Sequence, residues 1–188
     1  MCGCARGLTV SQQLLNEAKK YSNLGYKVGI ANGKALVDTY SEARVPTITW
    51  DGISIILDDL VCVDFDSNHS MDCGYGNDLP PTWKEKTPRG VHLFYLLPVS
   101  FSLTTRAPKI KWKPDIDLLV KGNRADKKPV RYGFVSNAVI AADLASNVFC
   151  EHVICSPTPG YTRVYPDNTP SINQLTIAPN WLLEAVEI

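Results

Sequence analysis

Apolar residues recur at helical spacing through "TVSQQLLNEAKKYSNLGYKVGI", where Leu14, Leu15, Ala18, Tyr21 and Leu24 mark one face. Gly25 suits the helix end, and "YKVGIA" then predicts a short strand. Residues 32–47 predict a loop with Lys34 exposed. In "GISIILDDLVCVDFD" two β-rich runs flank "LDD", the pattern of a hairpin. The polar stretch from Ser67 to Gly90, with Pro80 and Pro81 in tandem, predicts a long connection. "VHLFYLLP" predicts a strand, and "KIKWKPDIDLLV" ends in another. "GNRADKKPVRYGFVSNAVIAADLASN" carries mixed signals for a basic loop, a short strand and a short helix. "EHVICSPTPGYTRVYP" predicts a strand, a proline-rich turn and a strand, and "IAPNWLLEAVEI" a closing helix from Pro179 or Asn180. Strands outnumber helices, so the expected class is α+β, with a mainly antiparallel sheet core flanked by helices.

The strand pattern "LVCVDFD" changes the picture from architecture to chemistry. Side chains alternate along a strand, so Asp64 and Asp66 share a face while Val63 and Phe65 share the other. Their Cα atoms lie about 6.5–7 Å apart in such a strand. Carboxylates converging to about 4 Å repel by about 4 kcal/mol at an effective dielectric of about 20. Either a proton is retained or a cation sits between them. Mg²⁺ or Mn²⁺ suits hard carboxylates and also holds phosphates. The plainer alternative is a pair that caps a turn through side-chain hydrogen bonds.

Two further features bear on the same chemistry. Thr87-Pro88-Arg89-Gly90 is turn chemistry entering a strand, flanked by the positive charges of Lys86 and Arg89. With free backbone N–H groups such a turn makes a triphosphate cradle. His92 lies two residues beyond Gly90 and is either a phosphate donor or a satisfied, half-buried histidine. Asp117 sits between Ile116 and Leu118 in an apolar run, where a carboxylate demands a cation or donors. Asp115, outside that run, is the weaker candidate.

Composition narrows the classes. The 188 residues are 45% hydrophobic and carry zero formal net charge, so one domain with its own core is expected and nucleic-acid binding has to rest on local patches. No apolar run suits a membrane span, and "MCGCARGLTV" lacks the core of a signal peptide, so a cytoplasmic location, a bacterial or phage-infected host cytosol, and reduced cysteines are expected. Cys150, His152 and Cys155, or His69 with Cys73, fall short of the paired spacing of structural zinc, so zinc is not expected.

In order, "LVCVDFD", "TPRGVH" and "IDLLV" resemble the three motifs of the archaeo-eukaryotic primase superfamily, and more narrowly the bifunctional primase-polymerase domain of phages, plasmids and mobile elements. "AKKYSNLGYKVGI" is similar to that family's opening helix and strand, "HVICSPTPGYTRVY" to its strand-turn-strand, and "IAPNWLLEAV" to its closing helix. The resemblance implies a single catalytic domain over 1–188 with an RRM-like core. Residues 1–50 are its N-terminal helix and strand portion, and 51–188 its catalytic core with an insertion at about 122–150. It implies an enzyme, a DNA primase and polymerase working by a two-metal mechanism. Asp64, Asp66 and Asp117 would be the catalytic residues holding two Mg²⁺ or Mn²⁺ ions, with His92, Arg89, Lys86, Gly90 and Thr87 at the nucleotide. Gly90 stands where the family usually has serine, and Arg89 replaces a usual small residue. Single-stranded DNA template would lie on Lys109, Lys111 and Lys113, which share a face if extended with Trp112 pointing away, and on Lys127, Lys128 and Arg131. NTPs or dNTPs are the implied substrates, and a helicase domain or partner commonly supplies processivity. Two other classes remain open: a metal-dependent nuclease or nicking replication initiator, and a non-catalytic nucleotide- or single-strand-binding module. A relaxase-type nickase needs clustered histidines, whereas His69, His92 and His152 lie apart in the chain.

Overall fold

In the computed structural model, residues 10–43, 50–67, 78–102, 109–123, 148–150 and 152–186 are described. The opening helix α1 spans Val10–Asn23, and its apolar stripe buries Leu14, Ala18 and Tyr21. Gly25 ends it at φ +93°, a left-handed geometry that suits glycine. Strands follow in chain order: β1 (Val28–Asn32), β2 (Ala35–Thr39), β3 (Gly52–Ile56), β4 (Leu60–Phe65), β5 (Trp83–Lys86) and β6 (Val91–Leu96). After them come β7 (Lys109–Lys113), β8 (Ile116–Leu119), β9 (Lys121–Asn123), β10 (Val148–Cys150), β11 (His152–Cys155) and β12 (Thr162–Tyr165). A 3₁₀ turn at Ile172–Gln174 precedes the closing helix α2, Asn180–Val186. The fold is α+β, and the strand pairings within its sheets are antiparallel.

Two larger sheets organise the domain. One runs β11-β3-β1-β2, the other β12-β5-β6-β4-β8-β7, and β9 pairs with β10 as a separate ribbon. Between the larger sheets and α1 lies one apolar cluster, built from Tyr21, Ile53, Ile55 and Val153 on one side and Cys62, Trp83, Phe94 and Leu119 on the other. The opposite face of the six-stranded sheet packs Val63, Phe65, Leu93 and Leu118 against Leu182, Ala185 and Val186 of α2. β4 and β6 are thus covered on both faces, which explains their near-continuous apolar sequences.

Three expectations fail here. β3 and β4 do not form a hairpin; they belong to different sheets, and "LDD" carries the chain from one layer to the next. Both runs are buried on both faces, so alternation gives no clue to which neighbour each pairs with. The loop expected over 32–47 contains β2, which pairs with β1 and is only half-buried. The long connection from Ser67 to Gly90 contains β5, a strand disguised because it turns a glutamate inward beside Trp83.

Candidate metal and nucleotide site

The register of the six-stranded sheet draws the sequence motifs into a line. Asp64 on β4 lies opposite His92 on β6 and, on its other side, opposite Asp117 on β8. The line continues to Glu85 and Arg163 beyond His92 and to Lys111 beyond Asp117. Directly paired residues share a face, so six polar side chains cross the sheet on the side that faces the first apolar cluster. One step of two residues along the strands, that same face is Trp83, Phe94, Cys62 and Leu119.

Asp64, Asp66 and Asp117 each offer a carboxylate oxygen within 4.8 Å of the others. Two carboxylates directly opposite across strands repel. One ammonium and one imidazole lie against the pair. Lys109 Nζ lies 2.6 Å from Asp117 Oδ2, and His92 Nε2 lies 3.3 Å from Asp64 Oδ1. Hydrogen bonding to Asp117 holds the Lys109 ammonium above its ordinary pKa, with Asp66 and Asp64 adding to the pull. Asp117 is 4% exposed, so it depends on such a partner. Asp66 sits just past β4, where its N–H donates to Asp115 O at 2.9 Å and its Oδ1 accepts from Arg89 at 3.4 Å. Asp115 takes φ 58° in the β7–β8 turn and stays outside the cluster.

The Thr87–Gly90 turn is built differently from a cradle of open N–H groups. Thr87 Oγ1 accepts from Gly90 N at 2.9 Å and from Arg89 N at 3.3 Å. Those two donors are therefore already used, and Thr87 is a turn-forming residue. Gly90 is required by space: a Cβ there would overlap the carbonyl oxygen of Phe65 at the end of β4. The serine usual in the resembling family cannot occupy this backbone without a shift. Arg89 remains exposed with its guanidinium on Asp66. Lys86 pairs with Val91, whose side chain belongs to the α2 face, so alternation carries it away from the acids.

On β7, Lys109 and Lys111 share the face of the acids, while Ile110 and Trp112 pack toward the α2 side. The register shifts between Lys111 and Lys113, so strict alternation ends there. Lys113 lies opposite Ile116 with Nζ 5.7 Å from the Trp112 ring centre. Trp112 stacks on Trp181 of α2 at 5.5 Å. A cleft of about 440 Å³ opens beside the acids, lined by Asp66, Asp117, Lys111, Trp112, Lys113 and the β7–β8 turn. Lys127, Lys128, Arg131, His69 and Cys73 lie outside the described residues. His152 Nε2 contacts Lys34 O, and Cys155 is buried with Sγ toward Ile53 O.

Two residues beside the site were not legible as candidates. Glu85 is fully buried next to His92 and accepts from Ser156 N at 3.0 Å and Ser156 Oγ at 2.8 Å. Burial pushes its carboxyl pKa up, and the Ser156 donors pull it partly back. Tyr161 places its ring 6.1 Å from His92, and burial and then Asp64 push its phenol pKa up. The signal for Glu85 was alternation in "WKEK", where it shares a face with Trp83. Among the described residues no helix is long and apolar enough to cross a membrane. No protein-family model matches the chain, and no curated protein matches it.

Proposed function

We propose that this chain catalyses template-dependent nucleotidyl transfer, extending a 3′-hydroxyl along single-stranded DNA as a primase-polymerase of a phage or mobile element, in the host cytosol. The observation that carries the reading is the convergence of Asp64, Asp66 and Asp117 within 4.8 Å from two adjacent strands, with His92 against Asp64. Three carboxylates form a hard oxygen donor set, which suits Mg²⁺ or Mn²⁺ better than zinc. Bound there, two such ions would lower the pKa of the attacking 3′-hydroxyl and stabilise the charge on departing pyrophosphate.

The side chains divide the remaining work. Asp64 and Asp117, mounted on packed strands, and Asp66, just past the end of β4, would hold the ions. His92 would exchange its Nε2 contact with Asp64 for a phosphate oxygen. Arg89, exposed and already over an acid, supplies a charge for the triphosphate. Lys111 and Lys113 line the neighbouring cleft, where a phosphate backbone would pass. A helicase domain or partner would provide unwinding.

The test is incubation with a single-stranded template, Mn²⁺, and labelled NTP and dNTP pools run separately. Template-dependent product that vanishes in Asp64→Ala and Asp117→Ala supports the reading. A shortened template supports a nuclease instead, and neither product supports a binding module.

A further inference from the structure

The acidic cluster carries its own cation. Lys109 stands on β7, the edge strand of the six-stranded sheet, with its side chain 47% exposed. Its ammonium nevertheless turns back to the Asp117 carboxylate, whose side chain is 6% exposed. In register Lys109 faces Leu119, so reaching Asp117 takes it along the sheet past its own partner. A buried carboxylate that faces Asp64 is costly to leave without a positive neighbour. A divalent ion shared among the three acids would serve the same need at the same carboxylate.

We propose that Lys109 is a tethered counter-ion which a divalent cation displaces from Asp117. The inference rests on the metal reading above and adds to it a competitor built into the chain. Without metal, the ammonium holds the cluster together. With metal, two positive groups cannot share one carboxylate oxygen, and the flexible four-carbon stem on an edge strand lets the ammonium move out to water. Metal affinity is then lower than the three acids alone would give, because each binding event breaks the ion pair.

Mn²⁺ titration of the full chain, followed by the electron paramagnetic resonance of free Mn²⁺, reads this directly. Lys109→Met and Lys109→Gln are expected to bind Mn²⁺ about tenfold more tightly than the unaltered chain, and Lys109→Arg within about twofold of it. The Mn²⁺-induced rise in melting temperature should likewise be larger in the two neutral variants. Unchanged or weaker Mn²⁺ binding in a neutral variant that melts cooperatively overturns the counter-ion role while leaving the metal site standing. If the unaltered chain binds no Mn²⁺ that Asp117→Asn abolishes, the metal reading itself fails and takes this inference with it.

Discussion

Two neighbouring rows on one face of the six-stranded sheet make opposite use of the same scaffold. Trp83, Phe94, Cys62 and Leu119 form the first, each at most 7% exposed. Glu85, His92, Asp64 and Asp117 form the second, one step further along the same four strands. In the apolar row Trp83 stacks on Phe94 of the same sheet at 4.4 Å and on Tyr21 of α1 at 5.6 Å, joining the sheet to the helix. In the polar row, groups that would repel or go unsolvated are held at short range. The acids owe their position to the apolar row beside them. Strands pinned by aromatic packing deliver Asp64 and Asp117 to one spot, and the packing next door removes their freedom to separate.

Within the polar row a second contrast appears. Glu85 and Asp117 are both buried carboxylates, but hydrogen bonds from Ser156 satisfy the first and an ammonium satisfies the second. The neutral solution belongs to architecture. The ionic one leaves room for exchange with another cation.

The comparison can be broken from either side. The largest effect is expected from Asp64→Asn, which removes one carboxylate of the proposed metal site while keeping shape. Nucleotide incorporation should fall on the order of 10³-fold, checked by primer extension, with the melting temperature little changed. Trp83→Ala attacks the other row and should cost about 3–5 kcal/mol in urea unfolding, since it empties a stacked aromatic site. Gly90→Ala tests the junction between the turn and β4. Overpacking against Phe65 should cost about 1–3 kcal/mol and slow extension by displacing His92.

The smallest effect sharpens the contrast through pH. Burial raises the Glu85 pKa above its usual 4.5, so between that value and its folded pKa the native state holds more protons than the unfolded one. Stability from this group is then lost as pH rises through that window. Glu85→Gln removes the loss, so its stability relative to the unaltered chain should improve from about pH 4.5 upward in urea melts at stepped pH. A difference that stays flat across the window would mean Glu85 keeps an ordinary pKa.

Much of the site was legible because its residues break a pattern. Asp64, Asp66 and Asp117 interrupt apolar runs, and a charge inside a run stands out in a sequence. Helix α1 and α2 were legible from Leu14, Ala18 and Tyr21 and from the Pro179 start, where spacing and caps agree. β5 was hidden because Glu85 faces inward and imitates a polar loop. The layer change at "LDD" was hidden because strands buried on both faces carry no alternation. The use of the Arg89 and Gly90 N–H groups by Thr87 was overlooked because a threonine two and three residues upstream can accept from a turn's own amides and so leave none open.

The three-way alignment of His92, Asp64 and Asp117 has an evolutionary corollary. Gaining or losing a single residue within β4 would rotate Asp64 to the α2 side and bring Phe65 or Val63 into its place. Strands β4, β6 and β8 should therefore keep constant length among descendants of this gene. β7 already absorbs an extra residue between Lys111 and Lys113. Length variation should collect there and in the connections, leaving the acids undisturbed.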